Sequence, residues 1–92
     1  MSDMDYIYTV DNEEILIEPI QRSTRNNIIR QYVSCRKKKK MTQEDLFKRT
    51  GISRPNIARF ESGKYNPSLE MMVRIAAGLD MQLDINLQAM QE

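Results

Sequence analysis

Arg54 and Arg59 share residues 53–62, SRPNIARFES, with two large apolar residues, Ile57 and Phe60. Ser53 is a good helix N-cap and Pro55 is tolerated in a first turn, where its missing N–H has no intrahelical partner. Ile57 and Phe60, three residues apart, fall on one side of such a helix. Arg54, Pro55, Ala58, Arg59 and Ser62 then face outward. Long hydrogen-bond donors held beyond a supported inner face suit the major groove of a nucleic acid duplex. Bond-making chemistry finds no comparable set of residues. There is no histidine, one cysteine and three glycines, so neither a Cys/His zinc site nor a phosphate-binding glycine loop can be assembled. No Asp/Glu cluster converges outside the acidic N-terminus, and Ser53 reads as a cap rather than a nucleophile. The chain is expected to be no enzyme and to need no metal or cofactor.

The residues before this segment must hold it in place. Residues 42–50, TQEDLFKRT, open with Thr42 as N-cap and Asp45 at the capping-box position, and Leu46 and Phe47 begin an apolar stripe. Gly51 ends it as a left-handed terminator. Two short helices joined by a glycine turn follow from this pattern.

Charge is unevenly spread. The formal net charge is +1, but residues 1–21 carry six acidic side chains and no basic one, and residues 22–64 carry thirteen basic against three acidic. The remainder carries Arg74 against Glu70, Asp80, Asp84 and Glu92. The basic block coincides with the paired helices and would supply phosphate attraction.

Residues from about Asn26 to Leu79 resemble the helix-turn-helix domain of the phage-repressor (Cro/C1, or XRE) family. The resemblance rests on an ordered series: TQEDL, TGIS, IARFESGKYNPSLE and IAAGL. It implies a mainly α fold, a repressor-like bundle of four helices, and a sequence-specific regulator of transcription, most simply a repressor. A dimer on a palindromic operator of double-stranded DNA would place residues 53–62 of each copy in the major groove. By the same resemblance Arg54, Pro55 and Arg59 face base edges, Pro55 by van der Waals contact alone. Gln43 meets phosphate at the start of its helix, and Asn56, Lys64 and Lys40 fall to the backbone as well. Arg36 and Glu61 match positions that form a structural ion pair. Two residues depart from the family pattern. Phe47 stands where a small residue is usual, and Lys40 where a glycine often ends the first helix. Some relatives are antitoxins of type II toxin-antitoxin pairs, so a cognate toxin is an alternative partner; a protein-interaction module that does not bind DNA is a third reading.

The flanking segments complete the plan. Residues 6–10 and 15–17 are rich in β-branched and aromatic residues around a polar DNEE and read as short strands, with Pro19 ending the second. Ser23 or Thr24 would cap the first helix, carrying Ile28, Ile29, Tyr32, Val33 and Arg36. Ser68 caps a fourth, whose inner face is Leu69, Met72, Ile75, Ala76 and Leu79, with Gly78 at its end. Cys35 is expected to be a packed or semi-exposed thiol. Met81, Leu83, Ile85 and Leu87 alternate with polar residues, the period of a strand with one apolar face. Such a strand needs a partner, either the N-terminal segment or its copy in a second subunit, and Leu83, Ile85 and Leu87 are the expected dimer strand. The organisation is thus an acidic extension (1–22), the helix-turn-helix domain (23–80) and a terminal strand and tail (81–92). No run approaches the roughly 18 apolar residues of a transmembrane helix. A cytoplasmic protein with no membrane partner, on the nucleoid when bound to DNA, is the expectation.

Overall fold

In the computed structural model, which describes residues 5–90, three of the four helices begin at a side chain that caps them. Helix α2 (Gln43–Thr50) starts at Thr42, whose hydroxyl accepts from the Asp45 N–H at 3.0 Å. Asp45 returns the favour by accepting from the Thr42 N–H at 2.8 Å, which closes the capping box. That bond from the Thr42 backbone, and then the side-chain bond, holds the Asp45 carboxyl below its ordinary range. Helix α3 (Arg54–Glu61) is capped by Ser53, and α4 (Leu69–Gly78) by Ser68, which accepts from the Met71 N–H at 3.0 Å. Between α2 and α3, Gly51 turns left-handed at φ 76° and its N–H reaches the Phe47 carbonyl at 2.8 Å.

The first helix is longer than its capping signals suggest. α1 runs over Ile17–Lys38, 22 residues, so it passes through both the expected start at Ser23 or Thr24 and the boundary drawn at residue 22. Pro19 does not break the chain here; it lies in the first turn, where helical N–H groups are unbonded anyway. The strand before it keeps three residues but ends at Leu16, one residue earlier than the expected 15–17. β1 (Tyr6–Tyr8) and β2 (Glu14–Leu16) form an antiparallel hairpin, with Tyr6 opposite Leu16 and Ile7 opposite Ile15. Its turn carries Asn12 at φ 67°, a left-handed position that asparagine tolerates.

Two helices end in the same way without a glycine. After α1, Lys40 is left-handed at φ 56°, its N–H bonds the Lys37 carbonyl, and the Met41 N–H reaches back to Arg36 at 3.1 Å. After α4, Asp80 is left-handed at φ 59°, bonds Ala77, and Met81 reaches back to Ala76 at 2.8 Å. Both are Schellman ends, in which a residue with a Cβ takes the place usually given to glycine. Gly78 therefore does not end α4 by its flexibility. It is buried inside the helix, where a Cβ would lie 2.5 Å from Thr50 Cγ2 and 3.3 Å from Leu46 Cδ2. A glycine here lets α4 approach α2.

The core is one cluster of Ile29, Tyr32, Leu46, Ile57, Phe60, Ile75, Ala76 and Leu79. Phe60, Leu46, Ile57, Ile75 and Leu79 are essentially fully buried, each contributing about 1.5–3 kcal/mol of transfer free energy. The Tyr32 and Phe60 rings meet edge to face at 5.1 Å, and the Tyr32 hydroxyl donates to the Met72 carbonyl at 2.8 Å, joining α1 to α4. Burial pushes the Tyr32 phenol up. Leu69, expected on the inner face, is exposed at the very start of α4, while Met71 and Met72 of the same turn pack against the core. Cys35 is a half-buried free thiol at the edge of the core.

Residues 81–90 form no strand within the chain. The N-terminal hairpin pairs only with itself among the described residues. Leu83 packs against the core, whereas Ile85 and Leu87 lie exposed, with no backbone alongside to complete a ladder.

Two glycine substitutions are expected to act in opposite directions, both read from thermal or urea unfolding. Gly78→Ala should destabilise by about 1–3 kcal/mol, because the new methyl overpacks the α2–α4 contact. Lys40→Gly should stabilise by about 0.5–1 kcal/mol, left-handed strain relieved less the greater entropy of glycine in the unfolded chain.

Candidate nucleic-acid interface

The exposed face of α3 is held from behind at two levels. Ile57 and Phe60, 0% and 1% exposed, anchor the inner side in the core. At the C-terminal end Glu61 is gripped by Arg36 of α1, with Nε to Oε2 at 2.7 Å and Nη2 to Oε1 at 3.0 Å. The third donor of Arg36, Nη1, bonds the Met41 carbonyl at 2.9 Å in the turn before α2. Gln43, first residue of α2, donates from Nε2 to the same Glu61 Oε1 at 3.0 Å. One carboxylate thus ties α1, α2 and α3 together. The pair is only 13% and 11% exposed, so bulk water competes little for it.

A second clamp holds the loop after α3. Arg25 of α1 donates from Nε to the Gly63 carbonyl at 2.8 Å and from Nη1 to Asn66 Oδ1 at 2.7 Å. This use of Arg25 leaves no periodic signal in the sequence, since its partners lie 38 and 41 residues away.

Beyond these supports, Arg54, Pro55, Asn56, Ala58 and Arg59 are all exposed along one helix. Each arginine has a neighbour that sequence reasoning did not supply. Arg54 Nε lies 3.6 Å from Glu44 Oε2 across the helix-turn-helix, both side chains well exposed. Such a pair is worth about 0–1 kcal/mol and yields easily to a competing acceptor. Arg59 lies with its guanidinium carbon 4.6 Å from the centre of the Tyr65 ring. Stacking leaves the in-plane N–H donors of a guanidinium free to point outward while narrowing its rotamers.

The residues considered for phosphate surround this face. Gln43 spends one amide hydrogen on Glu61 and keeps another, at the positive end of α2. Lys64 is exposed just past α3, its N–H bonded to Ser62 Oγ at 3.2 Å. Lys40 is exposed in the left-handed turn before α2. Phe47, the larger residue at a position where a small one is usual, sits at the rim and is 39% exposed, while Leu46 fills the interior beside it.

No helix among the described residues is long and apolar enough to cross a membrane, and they contain no group of His, Cys, Asp and Glu side chains fit to hold a metal. A capped helix, a left-handed glycine turn and a second helix with a donor-bearing outer face define a helix-turn-helix protein. Residues 34–86 match the helix-turn-helix family, and the chain belongs to it as a Cro/C1-type member of a class of DNA-binding transcriptional regulators.

Relatives agree. An uncharacterized HTH-type transcriptional regulator of Archaeoglobus fulgidus is 45% identical over 49 residues, 53% of this chain and 69% of that one. YqaE of Bacillus subtilis, with the same description, is 37% identical over 54 residues, 59% of this chain and 47% of its own length. The match to another such regulator, from Haemophilus influenzae, is 32% identical over 74 residues, 80% of this chain and 72% of the relative. Among solved structures, a chain of a toxin-antitoxin module from Streptococcus pneumoniae superimposes with a TM-score of 0.62 at 29% identity, covering 78% of this chain and 80% of that one.

The Glu61 node gives a direct prediction for stability. Glu61→Ala, which leaves Arg36 in a largely buried place without its partner, should cost about 3 kcal/mol in urea unfolding. Replacing Arg36 and Glu61 together by Met and Leu should cost clearly less than that.

Proposed function

We propose that this protein recognises a specific DNA operator as a homodimer and represses transcription from it. The observation that carries the reading is the outer face of α3: two exposed arginines on a helix whose inner side is fully buried and whose end is locked by Arg36 and Glu61. In the major groove Arg54 and Arg59 would donate to base edges, a guanidinium matching O6 and N7 of guanine with two bonds. Pro55 would offer van der Waals contact to a neighbouring base. Gln43, Asn56, Lys64 and Lys40 would take phosphates on either side and set the register of the helix.

Two copies would present α3 to successive major grooves about 34–36 Å apart. Pairing of residues 83–87 with the same segment of a second copy would give Leu83, Ile85 and Leu87 the ladder that the single chain lacks. Membership of the family and the basic block over residues 22–64 support DNA as the partner. A second reading, in which the protein is also an antitoxin that neutralises a partner toxin, is favoured by the likeness of 78% of this chain to a chain of a toxin-antitoxin module.

Selection of bound sequences from a random duplex pool tests the first reading. Wild type should enrich a two-fold symmetric site. Arg54→Ala with Arg59→Ala should lose or relax that preference, each base contact being worth about 1–3 kcal/mol, while salt-sensitive retention persists. Tyr65→Ala should relax the preference at the base met by Arg59 alone, and Tyr65→Phe should restore it. Absence of any enriched site with wild type would contradict operator recognition.

A further inference from the structure

The N-terminal hairpin is an element whose position the helical bundle does not explain. Among the described residues its main contact outside itself is with α1, and with the start of that helix it projects from the rest. The chain extends 48 Å along its longest axis and has a radius of gyration of 15.8 Å, against about 12 Å for a compact domain of this length. An isolated two-stranded hairpin is marginally stable in water. This one nevertheless spends large apolar residues on its surface: Tyr6, Ile7, Tyr8, Val10 and Leu16 are between 38% and 103% exposed.

The hairpin also offers backbone. Thr9 bonds Glu13 and Ile17 bonds Asp5 across the ladder. By the alternation of antiparallel pairing, the N–H and C=O groups of Tyr6 and Tyr8 then point outward from β1. No further strand covers that edge among the described residues. On the same face as these two rings, which meet edge to face at 5.8 Å, Leu16 stands opposite Tyr6.

Charge selects what could lie there. Asp5, Asp11, Glu13, Glu14 and Glu18 are the charged residues from 5 to 21. Glu18 is already paired with Arg22, which leaves the four carboxylates of the hairpin and its turn without a basic neighbour in that stretch. Two hairpins brought together would oppose these carboxylates. The other unpaired apolar segment, residues 81–90, contains Asp84 and no basic residue, so it is no better matched as an occupant from a second copy. We infer that the free edge of β1 is a docking site for a different protein, which adds an extended strand with apolar side chains toward Tyr6, Tyr8 and Leu16 and lysine or arginine toward the surrounding carboxylates. The inference gives the antitoxin reading its contact surface and partner chemistry, rests on that reading, and is independent of operator recognition.

The test pans a displayed library of short random peptides against the full chain and against Tyr6→Ser with Tyr8→Lys. The control is unchanged thermal unfolding of the bundle and unchanged DNA retention. Enriched peptides should alternate apolar residues with lysine or arginine, and a synthetic copy of one should bind the variant at least about tenfold more weakly. Failure to enrich basic alternating peptides, or their equal binding to the variant, overturns the inference. So does a hairpin variant that sediments as a smaller species than wild type, since the edge would then join copies of this chain. Co-expression with the product of an adjacent gene separates the two levels: a partner retained equally by wild type and variant removes the hairpin as the surface and leaves the antitoxin reading standing.

Discussion

The carboxylate of Glu61 fixes the geometry on which everything else rests. Three helices converge on it: Arg36 from α1 with two bonds, Gln43 from the start of α2 with a third, and α3 through its own last residue. A hydrophobic core sets how deeply helices pack, but dispersion and apolar burial are nearly indifferent to small rotations about a helix axis. Directional, charge-assisted bonds are not indifferent. With Ile57 and Phe60 holding one side of α3 and Glu61 its end, the outward direction of Arg54 and Arg59 is defined before any ligand arrives.

That arrangement divides the basic residues by task. Arg36 and Arg25 have their donors committed to carboxylate, carbonyl and amide acceptors inside the chain. Arg49 is paired with Asp80 at 2.5 Å beside the end of α4. Arg54 and Arg59 have only a weak exposed ion pair and a stacked ring for company, neither of which uses up their donors. A sum of charges over residues 22–64 therefore overstates how much is free to meet a polyanion. The lysines of residues 37–40 are exposed and fan out around a helix end, contributing a field more than a contact.

Local signals made the short helices readable in the sequence. Thr42 with Asp45, Ser53, Ser68 and Gly51 act within a few residues of where they stand, so their meaning survives without tertiary context. The first helix is harder to read for the converse reason. Its start at Ile17 has no side-chain cap, and its proline occupies one of the few helical positions a proline can hold. Gly78 looked like a terminator because glycine usually is one near a helix end; its real constraint is Thr50, 28 residues away in sequence and visible only after folding. The partners of Arg25, Arg54 and Arg59 were hidden in the same way. Alternation in residues 81–88 encodes one apolar strand face, and among the described residues no backbone lies alongside to pair with it.

The division of the arginines can be observed directly through the Nε–Hε resonances of the arginine side chains during titration with a short duplex. The Arg54 and Arg59 signals should shift, while those of Arg36 and Arg25 should stay in place, protected throughout by Glu61 and the Gly63 carbonyl. Shifts confined to other arginines, or release of Arg36 from Glu61 on binding, would contradict a recognition helix whose orientation is set in advance by that carboxylate.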